Sequence, residues 1–243
     1  MIKVDESNTP FVEERFQDRP ALLAFWKDLN VTILRADMIR YLAMLAEGGV
    51  YSDLDTSCLK PIEQWIPERF SRENINAVVG VEYDDTTYRM FVRPMSFCQW
   101  TLMAKPGHPI FEAVVARVIH HLEYLARVKN TDLGNLEVEK KEVLEGTGPG
   151  AFTDAVMEVL SNDMGRRVEW SEVQGLKEPK LFGDVLVLPI NGFASGQKHS
   201  HSGDKEYGEA LVKHHFGRSW YTRPADPGPT VAATIEKPDE KRA

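Results

Sequence analysis

The chain has 243 residues, 42% of them hydrophobic and 27% charged, with a formal net charge of −8. That length suits one large domain with a packed core, and the acidic balance argues against a general nucleic-acid binder. Two cysteines, Cys58 and Cys98, form neither a disulfide framework nor a close metal-type pair, and no apolar run reaches the length of a membrane span.

The N-terminus MIKVDESNTP has no signal-peptide pattern, so the chain as written reads as soluble. Pro20 to Leu29 predicts a helix with Leu22, Leu23, Phe25 and Trp26 as its apolar bulk. Val31 to Leu34 reads as a short strand. Ala36 to Glu47 reads as a helix that is apolar nearly all round, therefore buried, and that stops at Gly48-Gly49. Val50 to Asp55 (VYSDLD), Asn76 to Tyr83 and Phe97 to Ala104 are the next strand candidates. A long helix is expected from Pro109 to Lys129, and a helical segment from Lys140 runs into the glycine-rich turn EGTGPG. A further helix follows from Ala151 to Leu160, then a buried strand from Asp184 to Pro189. Asn191 to Asp204, rich in Gly, Ser and His, predicts a loop. Alternating strands and helices point to an α/β fold. One domain over residues 1–222 is expected, with a polar, Pro-rich, disordered tail over 223–243.

The stretch GGVYSDLDTSCLKP places Asp53 and Asp55 one residue apart directly after an aromatic strand. On an extended segment both carboxylates face one side while Leu54 faces the core. Carboxylates are costly to bury, and oxygen ligands suit Mg²⁺ or Mn²⁺, with substrate phosphate completing the shell. A bare D-x-D is most often a solvated turn; here it follows a buried helix, Gly-Gly and an aromatic strand. Asp37 and Arg40 share a face of that helix, either as a pair that holds the helix start or as a polar stripe facing a hydroxyl-rich ligand. KHHFGRSWY, Lys213 to Tyr221, offers His214 and His215 as candidate Mn²⁺ ligands and Trp220 as a candidate phosphate donor. Read alone, it is a surface His pair beside a core Trp. His199 and His201 in a flexible loop are discounted as a zinc clip. GTGPGAFT, Gly146 to Thr153, is a turn at a helix N-terminus without the lysine of a P-loop. No Ser-His-acid triad, H-E-x-x-H or dinucleotide fingerprint is present.

Taken together, LRADMIRYLAMLAEGGVYSDLDTSCLKPI, the TGP turn and the H-x-F-x-x-S-W ending resemble the D-x-D sugar-transferase family that includes the fungal initiation-specific alpha-1,6-mannosyltransferases. The resemblance runs from about Asp5 to Trp220. It implies a GT-A-like, Rossmann-like nucleotide-sugar transferase fold, Mn²⁺ (or Mg²⁺), GDP-mannose as donor, a glycan or glycoprotein acceptor and the Golgi lumen. By the same resemblance, Asp55 binds the metal directly and Asp53 contacts the ribose or the metal's water shell, the two forming the catalytic D-x-D. Asp37 and Arg40 hold the donor sugar, His214 (with His215 as its rival) is a metal or diphosphate ligand, and Ser219 and Trp220 lie at the diphosphate. An alpha-linked product from an alpha-linked donor implies net retention without a dedicated protein nucleophile. Family members normally begin with a further strand carrying a P-K-x-I-H-Q-like run, so the fold is expected in N-terminally truncated form, with guanine recognition incomplete. Arg218 also stands where family members often have a small residue. The alternatives are a glycolipid mannosyltransferase of the same family, or a truncated non-catalytic paralogue that binds a nucleotide or a partner glycosyltransferase.

Overall fold

The computed structural model describes residues 9–84 and 93–217. Its first helices are α1 (Thr9–Arg15), α2 (Pro20–Asp28) and α3 (Thr32–Glu47). Pro20 at the first turn of α2 suits a position that needs no N–H donor. The strand expected at Val31–Leu34 is instead the start of α3, despite the β-branched residues there. The Arg35 guanidinium sits 4.0 Å over the Trp26 ring and donates to the carbonyls of Trp26 and Leu29. It thereby satisfies the open end of α2 from one turn inside α3. Leu34 and Met38, one turn apart and fully buried, continue the apolar face of the helix.

Helix α3 ends where Gly48 takes φ 60° and its N–H closes on the Met44 carbonyl. Strand β1 (Gly49–Ser52) follows, then β2 (Thr56–Cys58), β3 (Ala77–Tyr83), β4 (Ser96–Phe97) and β5 (Thr101–Ala104). The chain continues with α4 (Pro109–Val128), α5 (Lys140–Gly146), α6 (Pro149–Asp163), β6 (Lys180–Phe182), β7 (Val185–Leu188), α7 (Ile190–Ala194) and β8 (Val212–His214). The main sheet runs β1-β5-β3-β7-β6, with β4 alongside β3, and β2 and β8 form a separate ribbon. This is the α/β architecture expected.

Three differences from the sequence reading have local causes. The single strand expected over Phe97–Ala104 is broken at Cys98–Trp100, because β4 pairs with β3 while β5 pairs with both β1 and β3. Helix α6 begins at Pro149, where proline suits the first helical turn. The loop expected after Asn191 opens with α7, wholly buried, whose Phe193 packs edge-on to Trp65 at 5.1 Å. The expected C-terminal tail lies outside the described residues. No helix among the described residues is long and apolar enough to cross a membrane.

Strand β1 is antiparallel to β5, which is antiparallel to β3, and β3 is parallel to β7. The C-terminal ends of β1, β3 and β7 therefore share one edge of the sheet, the edge on which open α/β sheets carry their ligands. Strand β3 is buried throughout. Near that edge its register with β4 shifts between Val81 and Tyr83, at Glu82. Glu82 is only 6% exposed and accepts a 3.2 Å bond from the Ser96 hydroxyl. Burial pushes its carboxyl up to about 8, against a small opposing effect of Ser96.

The two glycines after α3 differ in kind. A Cβ on Gly48 would lie 2.5 Å from the Pro106 nitrogen and 2.7 Å from the Ala104 carbonyl oxygen, whereas one on Gly49, at φ 82°, would meet nothing. Gly48→Ala is expected to cost about 3 kcal/mol or more, and Gly49→Ala about 1 kcal/mol, in urea denaturation. Equal costs would refute the close-approach reading. Glu82 gives a second test. The folded state holds its proton where the unfolded state, titrating near 4.5, has released it. Stability therefore falls as pH rises between about 4.5 and 8, by up to ~5 kcal/mol at ~1.4 kcal/mol per pKa unit. Glu82→Gln should remove that fall; superimposable stability–pH curves for the two proteins would refute it.

Candidate metal and nucleotide-sugar site

The D-x-D follows β1 at this edge of the sheet. Strand β1 ends at Ser52, and residues 53–55 form the turn into β2 rather than a continuation of the strand. The Thr56 N–H and hydroxyl both bond the Asp53 carbonyl, at 3.2 and 2.7 Å, which closes the turn. Leu54 consequently points outward and is 88% exposed, contrary to the core position expected of an extended segment. The two carboxylates are brought together by a turn, not by strand alternation.

Strand pairing supplies the third member. In the β2–β8 ribbon Thr56 lies opposite His214, and the His215 N–H continues the ladder to the Asp55 carbonyl at 2.8 Å. His214 Nε2 then lies 3.1 Å from Asp55 Oδ1 across 159 positions of sequence. One ligand atom each from Asp53, Asp55 and His214 falls within 4.8 Å of the others, a grouping that could hold a metal ion. His215 turns away and bonds Ser57 Oγ at 2.7 Å. His199 and His201 belong to no such cluster among the described residues; His201 stacks on Tyr207 at 4.8 Å. Ser219 and Trp220 lie outside the described residues.

Each carboxylate has its own support. Asp53 Oδ1 accepts from the Tyr51 hydroxyl at 2.8 Å and lies 3.8 Å from the Arg40 guanidinium. Asp55 Oδ2 accepts from the Gly217 N–H at 2.7 Å. Partial burial raises the Asp55 pKa, but the Gly217 bond and His214 outweigh it and leave the carboxyl below its ordinary value. Burial lowers His214, with Asp55 only partly opposing, so the imidazole is neutral at pH 7. Its Nε2 lies within hydrogen-bond distance of Asp55 Oδ1, while Nδ1 is buried without a hydrogen-bond partner among the described residues. Two carboxylates and a neutral imidazole fit a Mn²⁺-type ion, with the remaining ligand positions left for phosphate oxygens.

Beneath the turn lies a buried polar cluster. Asp37 and Arg40, 2% and 7% exposed, pair at 3.1 Å. The other Asp37 oxygen accepts from the Thr147 hydroxyl at 2.7 Å. Arg40 also donates to the Gln99 carbonyl at 3.3 Å. The Tyr41 hydroxyl lies 2.6 Å from Gln99 Oε1 and 2.8 Å from the Thr147 carbonyl. The glycine-rich turn before α6 thus closes on α3 through Thr147. Burial pushes the Asp37 carboxyl above its ordinary value and Arg40 restrains it. Arg40 is itself raised, since Asp53, Tyr51 and Asp37 together outweigh its desolvation. Of the two readings of the Asp37/Arg40 stripe, the pairing of the two residues with each other is present, and Arg40 also lies toward Asp53. Tyr51, Thr147 and Trp100 were not singled out from sequence. Only the TGP turn hinted at Thr147, and nothing marked the other two apart from ordinary core aromatics.

Residues 2–71 match the family described as "Glycosyltransferase sugar-binding region containing DXD motif". The chain is 40% identical over 195 residues to the initiation-specific alpha-1,6-mannosyltransferase of Schizosaccharomyces pombe, covering 79% of this chain and 48% of the relative. To the protein of the same name from Candida albicans it is 32% identical over 232 residues, covering 86% of this chain and 59% of the relative. The family resemblance read from the sequence is thereby borne out. The chain spans about half the length of the curated relatives it matches. Among solved structures, the PaToxG glycosyltransferase is similar with TM-score 0.33 at 16% identity, over 66% of this chain and 44% of that one.

A buried ion pair is far costlier to break than to replace. Arg40→Ala, which leaves Asp37 buried beside only Thr147 and Gln99, should cost about 3–5 kcal/mol in denaturant unfolding. The double change Asp37→Asn with Arg40→Met should recover much of that. A single variant within about 0.5 kcal/mol of wild type, the range of ordinary surface changes, would show that the pair is not buried in solution.

Proposed function

We propose that this chain is the nucleotide-sugar-binding, catalytic part of a retaining, divalent-metal-dependent mannosyltransferase. It moves mannose from GDP-mannose to a glycan acceptor in alpha-1,6 linkage, as the names of its relatives suggest. The observation that carries the reading is the convergence of Asp53, Asp55 and His214 at the C-terminal edge of β1, directly above the Asp37–Arg40 pair. By the family resemblance the protein works in the Golgi lumen on a glycoprotein glycan. Residues 1–222 are proposed as one domain.

When bound, a divalent ion at this cluster would supply Lewis-acid stabilisation of the charge that grows on a departing diphosphate. The chain's own residues do the positioning. Tyr51 and Arg40 fix Asp53, and Gly217 and His214 fix Asp55, so both carboxylates are orientated before a ligand arrives. The donor sugar is proposed to rest above Asp37 and Arg40, reached through the Arg40 guanidinium, which keeps 9% side-chain exposure. Ser219 and Trp220 are proposed to hold the diphosphate. No protein nucleophile is assigned, in keeping with front-face retention.

Calorimetric titration with GDP and GDP-mannose, each with and without Mn²⁺, tests the reading. Wild type should bind both only with the metal, and Asp55→Asn should weaken binding at least about tenfold, as loss of a charged metal ligand does. Transfer to a mannose-bearing acceptor should fall in parallel. Metal-independent binding, or an Asp55→Asn protein that binds like wild type, would refute it.

A further inference from the structure

Trp100 stands at the break between β4 and β5 and is 6% exposed. Its backbone carbonyl accepts the Asp53 N–H at 2.9 Å. Its ring stacks on the His214 imidazole, centroids 4.7 Å apart and planes 28° from parallel. The indole N–H donates to the Phe193 carbonyl at 3.1 Å, which fixes the ring's orientation against α7. Phe216 closes the group from the other segment, 4.1 Å from His214 and edge-on to Trp100 at 5.6 Å. Phe216 does so with φ 52°, a left-handed backbone that a bulky residue adopts only where its surroundings impose it.

The two segments that carry the carboxylate–imidazole cluster come from opposite ends of the chain. The D-x-D turn leaves β1, and His214 ends β8. Trp100 touches both, one with its backbone and the other with its ring. Among the described residues, the His214 ring meets Asp55 at Nε2 and the two aromatic rings, and Nδ1 has no hydrogen-bond partner. An imidazole ordinarily owes its orientation to a hydrogen bond at its second nitrogen. Here aromatic packing has to do that work.

We infer that Trp100 is a positioning residue for this cluster, aiming His214 Nε2 toward the seat shared with Asp53 and Asp55. The inference rests on the cluster being a divalent-cation site. Three of its contacts can be separated. The carbonyl bond to Asp53 survives any side-chain change. Trp100→Leu keeps apolar volume but loses the stacking face and the indole N–H. Trp100→Phe keeps an aromatic face and loses only the anchor to Phe193.

The test uses the full chain with ¹⁵N-labelled histidine. Mn²⁺ binding is followed by the electron paramagnetic resonance of the free ion, and His214 by its imidazole resonances. Trp100→Leu should weaken Mn²⁺ binding about tenfold to a hundredfold, the usual cost of losing a partner that orientates a ligand. It should also remove the ring-current displacement of the His214 signals, and Trp100→Phe should restore most of both. Phe111→Leu, a buried aromatic change in α4, controls for general loosening and should move neither. The inference is overturned if Trp100→Leu binds Mn²⁺ like wild type, or if Phe111→Leu weakens binding as much. A wild-type protein that binds no Mn²⁺ refutes the cation reading instead. In that case the imidazole spectrum alone decides the positioning role, and His214 signals unchanged in Trp100→Leu overturn it.

Discussion

The short antiparallel pairing of β2 with β8 is the constraint on which the site depends. Its register sets Thr56 opposite His214, and one step further the Asp55 carbonyl takes the His215 N–H. Alternation along β8 then sends His214 inward to Asp55 and His215 outward to Ser57. A shift of one residue would exchange the two histidines. It would put an exposed imidazole where a half-buried, neutral one now stands. The ribbon is short, so its register is held from outside as well. Leu211 and Val212 are buried, the Leu211 N–H bonds the Gly192 carbonyl in α7, and the Leu211 carbonyl accepts from Leu59.

The layer beneath explains why a buried ion pair is retained in the middle of an apolar helix. Helix α3 carries Asp37, Arg40 and Tyr41 on one side, and between them they reach Thr147, Gln99 and Asp53. Asp37 reaches Thr147, Arg40 reaches Asp53 and Gln99, and Tyr41 reaches Gln99 and the Thr147 carbonyl. Apolar residues could fill this volume at no loss of stability. They could not tie the turn before α6, the β4–β5 connection and the D-x-D turn to one helix face. The polar cluster therefore sets relative position rather than adding stability. Gly48 serves the same end by letting α3 stop against the backbone of Ala104 and Pro106, which aims β1 along the sheet.

Much of this was legible in the sequence where a local rule governs. The buried helix ending at Gly48, the strands at β3 and β7, and helix α4 follow from periodicity, glycine and proline. Asp37, Arg40, Asp53 and Asp55 were marked by residue type and spacing, and His214 was ranked above His215 by the family resemblance. What escaped depends on partners distant in sequence. Val31–Leu34 looked like a strand because Arg35's bonds to the end of α2 cannot be seen from propensity. Leu54 looked buried because a turn and a strand share the same D-x-D spacing, and only the Thr56 bonds to Asp53 distinguish them. Trp100 looked like one more strand aromatic, since its significance lies in what β8 brings against it.

Charge counting explains why such a site calls for a cation. Asp37, Asp53 and Asp55 converge on one guanidinium, Arg40, while His214 is neutral. With all three carboxylates ionised, the cluster has three negative charges against one positive, an excess of two. Asp55 is held ionised by the Gly217 N–H and His214. The unmet charge is thus concentrated at the two D-x-D carboxylates, on the open side of the cluster, instead of being spread through the buried layer. In a partly desolvated setting that concentration attracts a divalent ion more strongly than the same carboxylates would in water. The buried pair contributes by spending its one cation on the inner side, which leaves the outer side acidic.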